Sequence, residues 1–539
     1  FAAILVVPLL VFWSDIWRTL LDIRALFQRW QSCDQARHPL AGVAVVFGFL
    51  AMLCSLMVML APSIAFDPVA VHIPSARFYA EIHALRPVTG ITYSYYPQGF
   101  EMLWTFAYVV AGQAGMQLIS GLFFPLFLVI LTRLARECGL DHGASLLAAI
   151  CAATLPFLHW SGSVVKNDLA LGYFELLALY SFVLWLQKSN FRWIVVGAFF
   201  LAQAASIKHV ALFGAVPLLL FFFYAASQQS KRLRSAALIG SVIVVFAGYW
   251  FARAYLLTGN PVAPSTIQAA SGDYGRIHPT LLSRALKLIG APEHVLFHGL
   301  DVFESPLPNP AGILFLVCAP LALLGAGLRP RTRTQGACIL FAVLYFVYWG
   351  AVVVKVRYAI AAFAVLGIPV AAWMKHFYDS QGAGLLRRLS IIGAQTYCLS
   401  IALMGLMIVD VNAPQLAYFA HRLDKSGYLR EAMQAYGPVE FLRHTGAAHP
   451  SVFTIENMAR AYAPDPFRFD GIWCSEKTPC SADRIVLNVR RCGAEFLIVP
   501  DNGDVPQDAL RQLGNPDRIY RDAHFSVYHL ATDAVQALR

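Results

Sequence analysis

Charged residues are scarce in this 539-residue chain: Asp, Glu, Lys and Arg make up 13% of it, whereas hydrophobic residues make up 58%. Soluble domains are about one-quarter charged and roughly half apolar. The mean hydropathy of +0.58 reflects the same imbalance. An ordinary soluble enzyme is therefore excluded, and the composition predicts an α-helical polytopic membrane protein.

Motifs for nucleotides and for catalytic zinc are also missing. The sequence has no glycine-rich phosphate loop ending in Lys-Ser/Thr, no Gly-x-Gly-x-x-Gly after a strand and no His-Glu-x-x-His. Such motifs arrange backbone amides around phosphates, or two imidazoles on one helix face. Their absence disfavours an ATP-driven transporter and a transferase that binds a nucleotide sugar in a soluble Rossmann domain.

Cysteine is sparse, and its ten residues lack metal-ligand spacing. Seven lie in or beside apolar runs, and three lie in the tail: Cys474, Cys480 and Cys492. A Cys474–Cys480 disulfide is compatible with a tail outside the cytosol, and the sequence leaves this pairing open. Because the chain opens at Phe1 inside an apolar run, we expect its true N-terminus to be missing.

Long apolar runs dominate what is present. A spanning helix needs about 20 mostly apolar residues. Runs between charged or Pro/Gly-rich breaks predict about twelve transmembrane helices: 1–13 (partial), 42–62, 114–132, 145–160, 168–187, 192–207, 209–226, 236–256, 311–328, 336–353, 357–374 and 389–410.

The distribution of charge predicts the sidedness. Residues 1–410 hold 27 basic and 16 acidic residues, and residues 411–539 hold 14 and 15. The positive excess lies in alternate loops, which the positive-inside rule makes cytoplasmic. Loops 63–113 and 257–310 and the tail 411–539 are then outside. We predict a transmembrane module over 1–410, an extracytoplasmic domain over 411–539 and no nucleic-acid partner.

The tail mixes helical and extended patterns. GYLREAMQAYGPVEFLRHTG has helical spacing, SVFTI and EFLIVP are typical of short buried strands, and RIYRDAHFSVYHL is typical of a hairpin. These segments predict a small α/β module with two or three strands.

Carboxylates gather near the outer ends of predicted spans. Asp67 follows a span, Asp168 opens another, and Glu101 ends the first outer loop. Together they could converge on a metal or a sugar hydroxyl, although a solvated acid or a helix-dipole contact explains each one singly. Glu175 lies two turns deeper than Asp168 on the same helix face, where a charge is costly, so a functional role and a neutral hydrogen-bonded role both stay open.

Cations collect on the same side: Lys166, Lys208, Arg253, Lys355 and Arg357. Each alone could extend to a lipid headgroup, but together they could hold a phosphate or pyrophosphate. Nearby aromatic residues, including Tyr358, suit either an interfacial belt or a sugar-stacking surface. We include His72, in the first outer loop, among the candidate substrate-binding residues.

The order of these features resembles the membrane glycosyltransferases of the C superfamily. The nearer relatives would be family-39-like members, kin to protein O-mannosyltransferases and the lipid A aminoarabinose transferase. The resemblance runs along most of residues 42–375, through FDPVAVHIP, YYPQGFEMLW, KNDLALGYF, YWFARAYLLTGNPVAP, FESPLPNPAGILF and VKVRYAIAAF.

This resemblance implies roles for individual residues. Asp67 would be the catalytic acid that engages the acceptor, and Asp168 its partner in an acceptor or metal site. Arg253 and Arg357 would contact the phosphate of a polyprenyl-phosphate sugar donor on the outer face of a bacterial cytoplasmic membrane. Glu101, Lys166, Tyr358 and His72 complete the predicted substrate site.

Two positions depart from the family pattern. Pro68 follows Asp67, where a second acid is usual, and Tyr96-Pro97-Gln98 replaces a Lys-Pro-Pro element. The cofactor is left open: a divalent metal ion, if one is used, would be held by Asp67, Asp168 and Glu101. A transporter and an inactive structural subunit of a membrane complex remain as alternatives, and partner subunits are unknown.

Overall fold

The computed structural model describes residues 53, 56–88, 90–153, 155–262, 281–297, 332–352, 355–379, 413–446, 449–455, 459–466, 468–472, 481–501 and 507–531. Up to residue 379 the chain is helical: α1 (Ile73–Ile82), α2 (Gly99–Glu137), α3 (His142–Ala153), α4 (Pro156–Ser163), α5 (Asp168–Lys188), α6 (Arg192–Ile207), α7 (Leu212–Ser227), α8 (Arg232–Thr258), α9 (Leu281–Phe297), α10 (Arg333–Val352), α11 (Ile360–Val365) and α12 (Gly367–Asp379). A π-helical turn, Pro68–His72, leads directly into α1.

Six helical stretches in the described part of the chain are long and apolar enough to cross a membrane: Gly99–Glu137, Asp168–Lys188, His209–Ser227, Arg232–Thr258, Arg333–Val352 and Val356–Lys375. Each contains or overlaps one predicted span, so the multi-pass helical architecture is confirmed. The predicted spans 1–13, 311–328 and 389–410, and most of 42–62, lie outside the described residues, and the total of twelve stays a prediction.

The predicted span over 145–160 is not one continuous helix. The chain forms α3 and α4 there, and Leu155 between them has an extended backbone. Pro156 opens α4 because proline has no N–H to donate to the preceding turn, and it disfavours helical geometry in the residue before it. The short helix α4 ends at Ser163, three residues before Lys166.

The predicted outer loop 63–113 is largely helical. It contains the π-turn, α1, a 3-10 turn over Thr92–Tyr95 and the start of α2. Within α2, Ala111 and Gly112 leave helical geometry, Gly112 at φ 60° and ψ −149°, so the first three turns are set off from the rest. Only glycine adopts that backbone conformation readily.

The tail contains five strands, where the sequence predicts a module with two or three. Its helices are α13 (Ala413–Phe419), α14 (Lys425–Ala432), α15 (Tyr436–His444), α16 (Ala482–Cys492) and α17 (Gln507–Gln512), and its strands are β1 (Val452–Ile455), β2 (Phe469–Ile472), β3 (Phe496–Pro500), β4 (Asp517–Arg521) and β5 (Phe525–His529). The strand order is β2-β1-β3-β5-β4. Strands β1–β3 run parallel, and β5 pairs antiparallel with β3 and β4.

Helices α14 and α15 and the hairpin lie where the sequence predicts them, but α13, α16, α17 and β2 were not predicted. The domain boundary at 410/411 stays a prediction, because residues 380–412 lie outside the described part of the chain. Cys474 and Cys480 lie outside it as well.

Candidate functional site

Helix termini bring the predicted site residues together. Asp67 precedes the π-turn that opens with Pro68, and Asp168 is the first residue of α5. Lys208 has an extended backbone between α6 and a 3-10 turn over His209–Ala211, which ends α6 and turns the ammonium group inward. Arg357 lies in the 3-10 turn Val356–Ala359 before α11. All four side chains therefore belong to residues at or next to a helix terminus.

Asp67 is bound by two cations. Its Oδ2 atom lies 2.6 Å from Arg357 Nη1 and 3.3 Å from Lys166 Nζ. Burial by itself would raise the pKa of Asp67, but the positive charges of Lys166 and Arg357 outweigh burial and hold this pKa well below its usual range. His72 and Lys208 act in the same direction. Asp67 is therefore a carboxylate at neutral pH.

Asp168 forms a second ion pair beside the first. Its Oδ1 atom accepts a hydrogen bond from Lys208 Nζ at 2.9 Å, and both side chains are buried. The Tyr358 ring connects the two pairs, because Lys208 Nζ and Arg357 Cζ each lie 5.0 Å from its centroid. Arg357 Nη2 also donates to the Tyr358 hydroxyl at 3.2 Å.

A cavity of about 370 Å³ opens at Asp67. It is lined by a carboxylate, three cations and a largely aromatic wall: Ala65, Phe66, Asp67, Tyr93, Trp160, Lys166, Lys355 and Arg357. Three cations beside one carboxylate leave an excess of positive charge, which suits an anionic group such as a phosphate. The aromatic rings offer flat faces to an apolar or sugar surface.

Glu101 and His72 lie in a separate buried cluster. Glu101 Oε1 is 3.2 Å from His72 Nδ1 and accepts a hydrogen bond from Asn167 Nδ2 at 3.2 Å. The His72 ring packs against Trp104 with centroids 4.7 Å apart. Neither Glu101 nor His72 lines the cavity, so their predicted contact with substrate stays a prediction. Through Asn167, the cluster adjoins Asp168 along the chain.

Arg253 also lies off the cavity wall. It is buried on α8, and its Nη1 atom donates to the Ser94 carbonyl at 3.0 Å. Ser94 is next to Tyr93, which lines the cavity. The structure thus brings Asp67, Lys166 and Arg357 together at the cavity, with Asp168 and Tyr358 adjoining, while Arg253 supports the turn behind it.

The three carboxylates of the predicted metal set do not meet. Asp67 binds Arg357 and Lys166, Asp168 binds Lys208, and Glu101 binds Asn167. Within the described ranges, no group of three or more His, Cys, Asp or Glu residues is arranged to hold a metal. This arrangement gives the predicted metal set no support.

Sequence reasoning did not identify Trp160 and did not pair Lys208 with Asp168. Trp160 falls at the end of an apolar run, where an aromatic residue is equally typical of an interfacial belt. Lys208 interrupts two apolar segments, which marks it as unusual, but its partner lies 40 positions away. Only the packing of α5 on α6 reveals that pair.

The model of the dolichyl-phosphate-mannose-protein mannosyltransferase family matches residues 97–250. The structure is similar to ArnT from Cupriavidus metallidurans bound to undecaprenyl phosphate, with a TM-score of 0.60 and 13% identity over 92% of this chain and 99% of that chain. No curated protein sequence matches the chain.

A second similar structure is the arabinofuranosyltransferase AftD from Mycobacteria. Its TM-score is 0.51 at 12% identity, over 92% of this chain and 40% of that one. ArnT in the apo state has a TM-score of 0.56 at 12% identity, over 92% and 99%. The family match falls on the segment from Pro97 to Trp250, which includes Asp168 and Lys208. The chain therefore has the fold of the C superfamily of membrane glycosyltransferases, and the resemblance that its sequence indicates is confirmed.

Proposed function

We propose that this protein is an integral membrane glycosyltransferase that moves a sugar from a polyprenyl-phosphate-linked donor to a hydroxyl of a lipid, glycan or protein acceptor. The observation that carries the proposal is the cavity at Asp67. It places one ionised carboxylate beside Lys166, Lys355 and Arg357 at the ends of apolar helices. A nucleophile-activating group and a phosphate-binding group are both needed for this reaction.

The acceptor hydroxyl attacks the anomeric carbon of the donor sugar. The bond between that carbon and the phosphate oxygen breaks, its electron pair stays on the departing polyprenyl phosphate, and the hydroxyl proton passes to Asp67. Attack opposite the leaving group inverts the anomeric centre. Lys166, Lys355 and Arg357 stabilise the negative charge that grows on the phosphate.

The ion pairs of Asp67 also have a role in this scheme. While Arg357 and Lys166 are bound to Asp67, that carboxylate is a weak base, because its pKa is held low. A donor phosphate attracts the same cations and weakens their hold on Asp67. Asp67 then becomes a stronger base only when the donor is present, which limits unproductive reaction with water.

Asp168 would orient the acceptor in this proposal, held in place by Lys208. The aromatic wall at Tyr93 and Trp160 would receive the sugar or the first isoprene unit. We further propose that the cavity and the tail face the periplasm of a bacterium, with the protein in the cytoplasmic membrane. The similarity to ArnT bound to undecaprenyl phosphate supports the class of donor.

Substitution of the carboxylates tests this function. Protein in nanodiscs is given a panel of radiolabelled undecaprenyl-phosphate hexoses and pentoses with membrane extract as acceptor, and release of undecaprenyl phosphate is measured. We expect Asp67→Asn to lower transfer at least about a thousandfold, since it removes the base without changing side-chain size. We expect Asp168→Asn to reduce transfer strongly as well.

The matched control is Asp141→Asn. Asp141 lies at the other ends of the helices, pairs with Lys375 and caps α3, and asparagine caps a helix equally well. It should transfer sugar at the wild-type rate. Full activity in both Asp67→Asn and Asp168→Asn would refute the glycosyltransferase assignment, and solute movement by purified protein in vesicles would support the transporter instead.

A further inference from the structure

Three successive carbonyl groups before Asp67 each accept a hydrogen bond from a distant side chain. Gln117 Nε2 of α2 donates to the Ala61 carbonyl at 2.5 Å. The Tyr428 hydroxyl of α14 donates to the Pro62 carbonyl at 3.1 Å, and the Tyr462 hydroxyl donates to the Ser63 carbonyl at 2.6 Å. A loop approaching a carboxylate is thus fixed at every residue from 61 to 63.

Two of these donors belong to the tail. Tyr428 and Tyr462 are both buried, and the core around them includes Ala61 and Val69, one on each side of Asp67. The 3-10 turn Arg460–Tyr462 packs directly against the π-turn that Asp67 precedes. The tail and the Asp67 segment therefore share one hydrophobic core, so a shift of the tail displaces Asp67.

A second contact between the tail and the membrane part lies at Gly90, in the loop that follows α1. Gly90 has φ +69°, and a Cβ atom there would lie 2.5 Å from Arg460 Nη2 and 2.6 Å from Asp470 Oδ1. Only glycine permits both the backbone angle and this close approach. Arg460 is buried with its guanidinium 3.8 Å from Asp470. The tail thus contacts the chain both at residues 62–63, before Asp67, and at Gly90, after α1.

We infer that the tail residues Tyr428 and Tyr462 are positioning residues for Asp67, so that the sheet-bearing tail is a working part of the membrane active site. This inference rests on the proposed function of Asp67. Neither tyrosine touches the cavity; each acts through a backbone carbonyl four or five residues before the carboxylate. Positioning matters because displacing a reacting group by about 1 Å can cost about a hundredfold in rate.

The test is Tyr428→Phe combined with Tyr462→Phe, together with each single substitution. Phenylalanine keeps the ring in the shared core and removes the hydroxyl, which at Tyr462 also accepts a hydrogen bond from Gln113 Nε2 at 3.5 Å. With the undecaprenyl-phosphate sugar that the wild type turns over, we expect the double variant to lose about tenfold or more in kcat with an unchanged KM for that donor. Tyr520→Phe, which removes a hydroxyl bonded to Asp522 elsewhere in the tail, is the matched control and should not change kcat.

The pH profile separates positioning from a general loss of structure. The charges facing Asp67 are Lys166, Arg357, His72 and Lys208. If Asp67 moves away from these cations, its pKa rises, and the acid limb of the kcat profile shifts to higher pH. Hydrogen exchange of residues 61–72, measured without any substrate, should also become faster in the double variant and not in Tyr520→Phe.

Each outcome decides the question. A wild-type kcat in the double variant, or a reduced kcat with an unmoved acid limb and unchanged exchange at 61–72, overturns the inference while Asp67→Asn stays inactive. If Asp67→Asn is itself active, the proposed function fails first, and the positioning role fails with it.

Discussion

At the residue scale, the site consists of buried charges that neutralise one another in pairs. The Asp168–Lys208 pair is enclosed, with side-chain exposures of 2% and 10%. A buried ion pair contributes little net stability, but breaking it leaves an uncompensated charge in an apolar environment. The effect of replacing Asp168 or Lys208 on stability therefore depends on whether the other residue of the pair is still present.

Lys208→Met should destabilise the fold by about 3–5 kcal/mol, because it leaves the Asp168 carboxylate buried without its cation. The double variant Lys208→Met with Asp168→Leu should recover most of this loss, since two apolar side chains replace the pair. Thermal unfolding in detergent measures both effects. If the single and double variants are equally unstable, loss of the Asp168–Lys208 ion pair is not the cause of the destabilisation. Lys231→Met, at the opposite ends of the helices, serves as the control.

The site predicted from the sequence includes Asp67, Lys166 and Arg357, and the structure places all three at the cavity. Their exact pairing was not predictable, because Asp67 and Arg357 lie 290 positions apart. Arg253 shows that residue type and sidedness do not identify the contact that a side chain makes. Its charge and side of the membrane fit a phosphate ligand, yet the described contact is with the Ser94 carbonyl.

At the element scale, α5, α7 and α10 meet around Glu175. The Tyr345 hydroxyl of α10 lies 3.2 Å from Glu175 Oε2 and 2.7 Å from the Tyr358 carbonyl. Gly214 of α7 faces the same carboxyl group, since a Cβ atom there would collide with Glu175 Oε1. This contact explains a fully buried acid in an apolar helix, and it ties α5 to the turn that carries Arg357.

Gly214→Ala should therefore destabilise the protein by about 1–3 kcal/mol, because the added methyl group displaces Glu175 or separates α7 from α5. Gly240→Ala is the matched control: it is also a helical glycine, and a Cβ atom there meets nothing within 4 Å. The control should be neutral or stabilising by about 0.5–1 kcal/mol. Denaturation midpoints measured side by side test the difference, and equal midpoints would contradict the predicted contact.

Patterns local to one element were the most predictable. The hairpin β4–β5 and the buried strands β1 and β3 follow from alternation and apolar runs. Strand β2, FDGI, carries an acid and a glycine and has no such pattern. It is a strand because β1 offers it a parallel edge, and that information lies in the tertiary structure.

At the scale of the whole molecule, apolar runs and charge bias predict a multi-pass protein with its site on one side, and six predicted spans coincide with described helices long and apolar enough to cross a membrane. The contact between tail and membrane part was not predictable. Composition separates them as two modules, whereas Tyr428 and Tyr462 join them through a shared core. A shift in composition indicates where the chain passes from lipid to water. It does not indicate that the two parts function independently.

Sidedness can be tested on the whole molecule by labelling with a membrane-impermeant maleimide. Leu487→Cys, at an exposed position of α16, should be labelled in intact spheroplasts at a rate above that of the wild type. Ser230→Cys, exposed in a predicted cytoplasmic loop, should be labelled only after permeabilisation. The reverse pattern would place the tail and the cavity in the cytoplasm.

The Tyr358 ring, shared by Arg357 and Lys208, has a consequence for the sequence of events in a catalytic cycle. A phosphate that draws Arg357 away from the ring leaves Lys208 as the only cation on that ring and so alters the surroundings of Asp168. Under the proposed function, occupancy of the phosphate site would thereby be communicated to Asp168 through a single aromatic side chain. Such coupling predicts an ordered mechanism, in which the lipid-linked sugar enters first and the acceptor second.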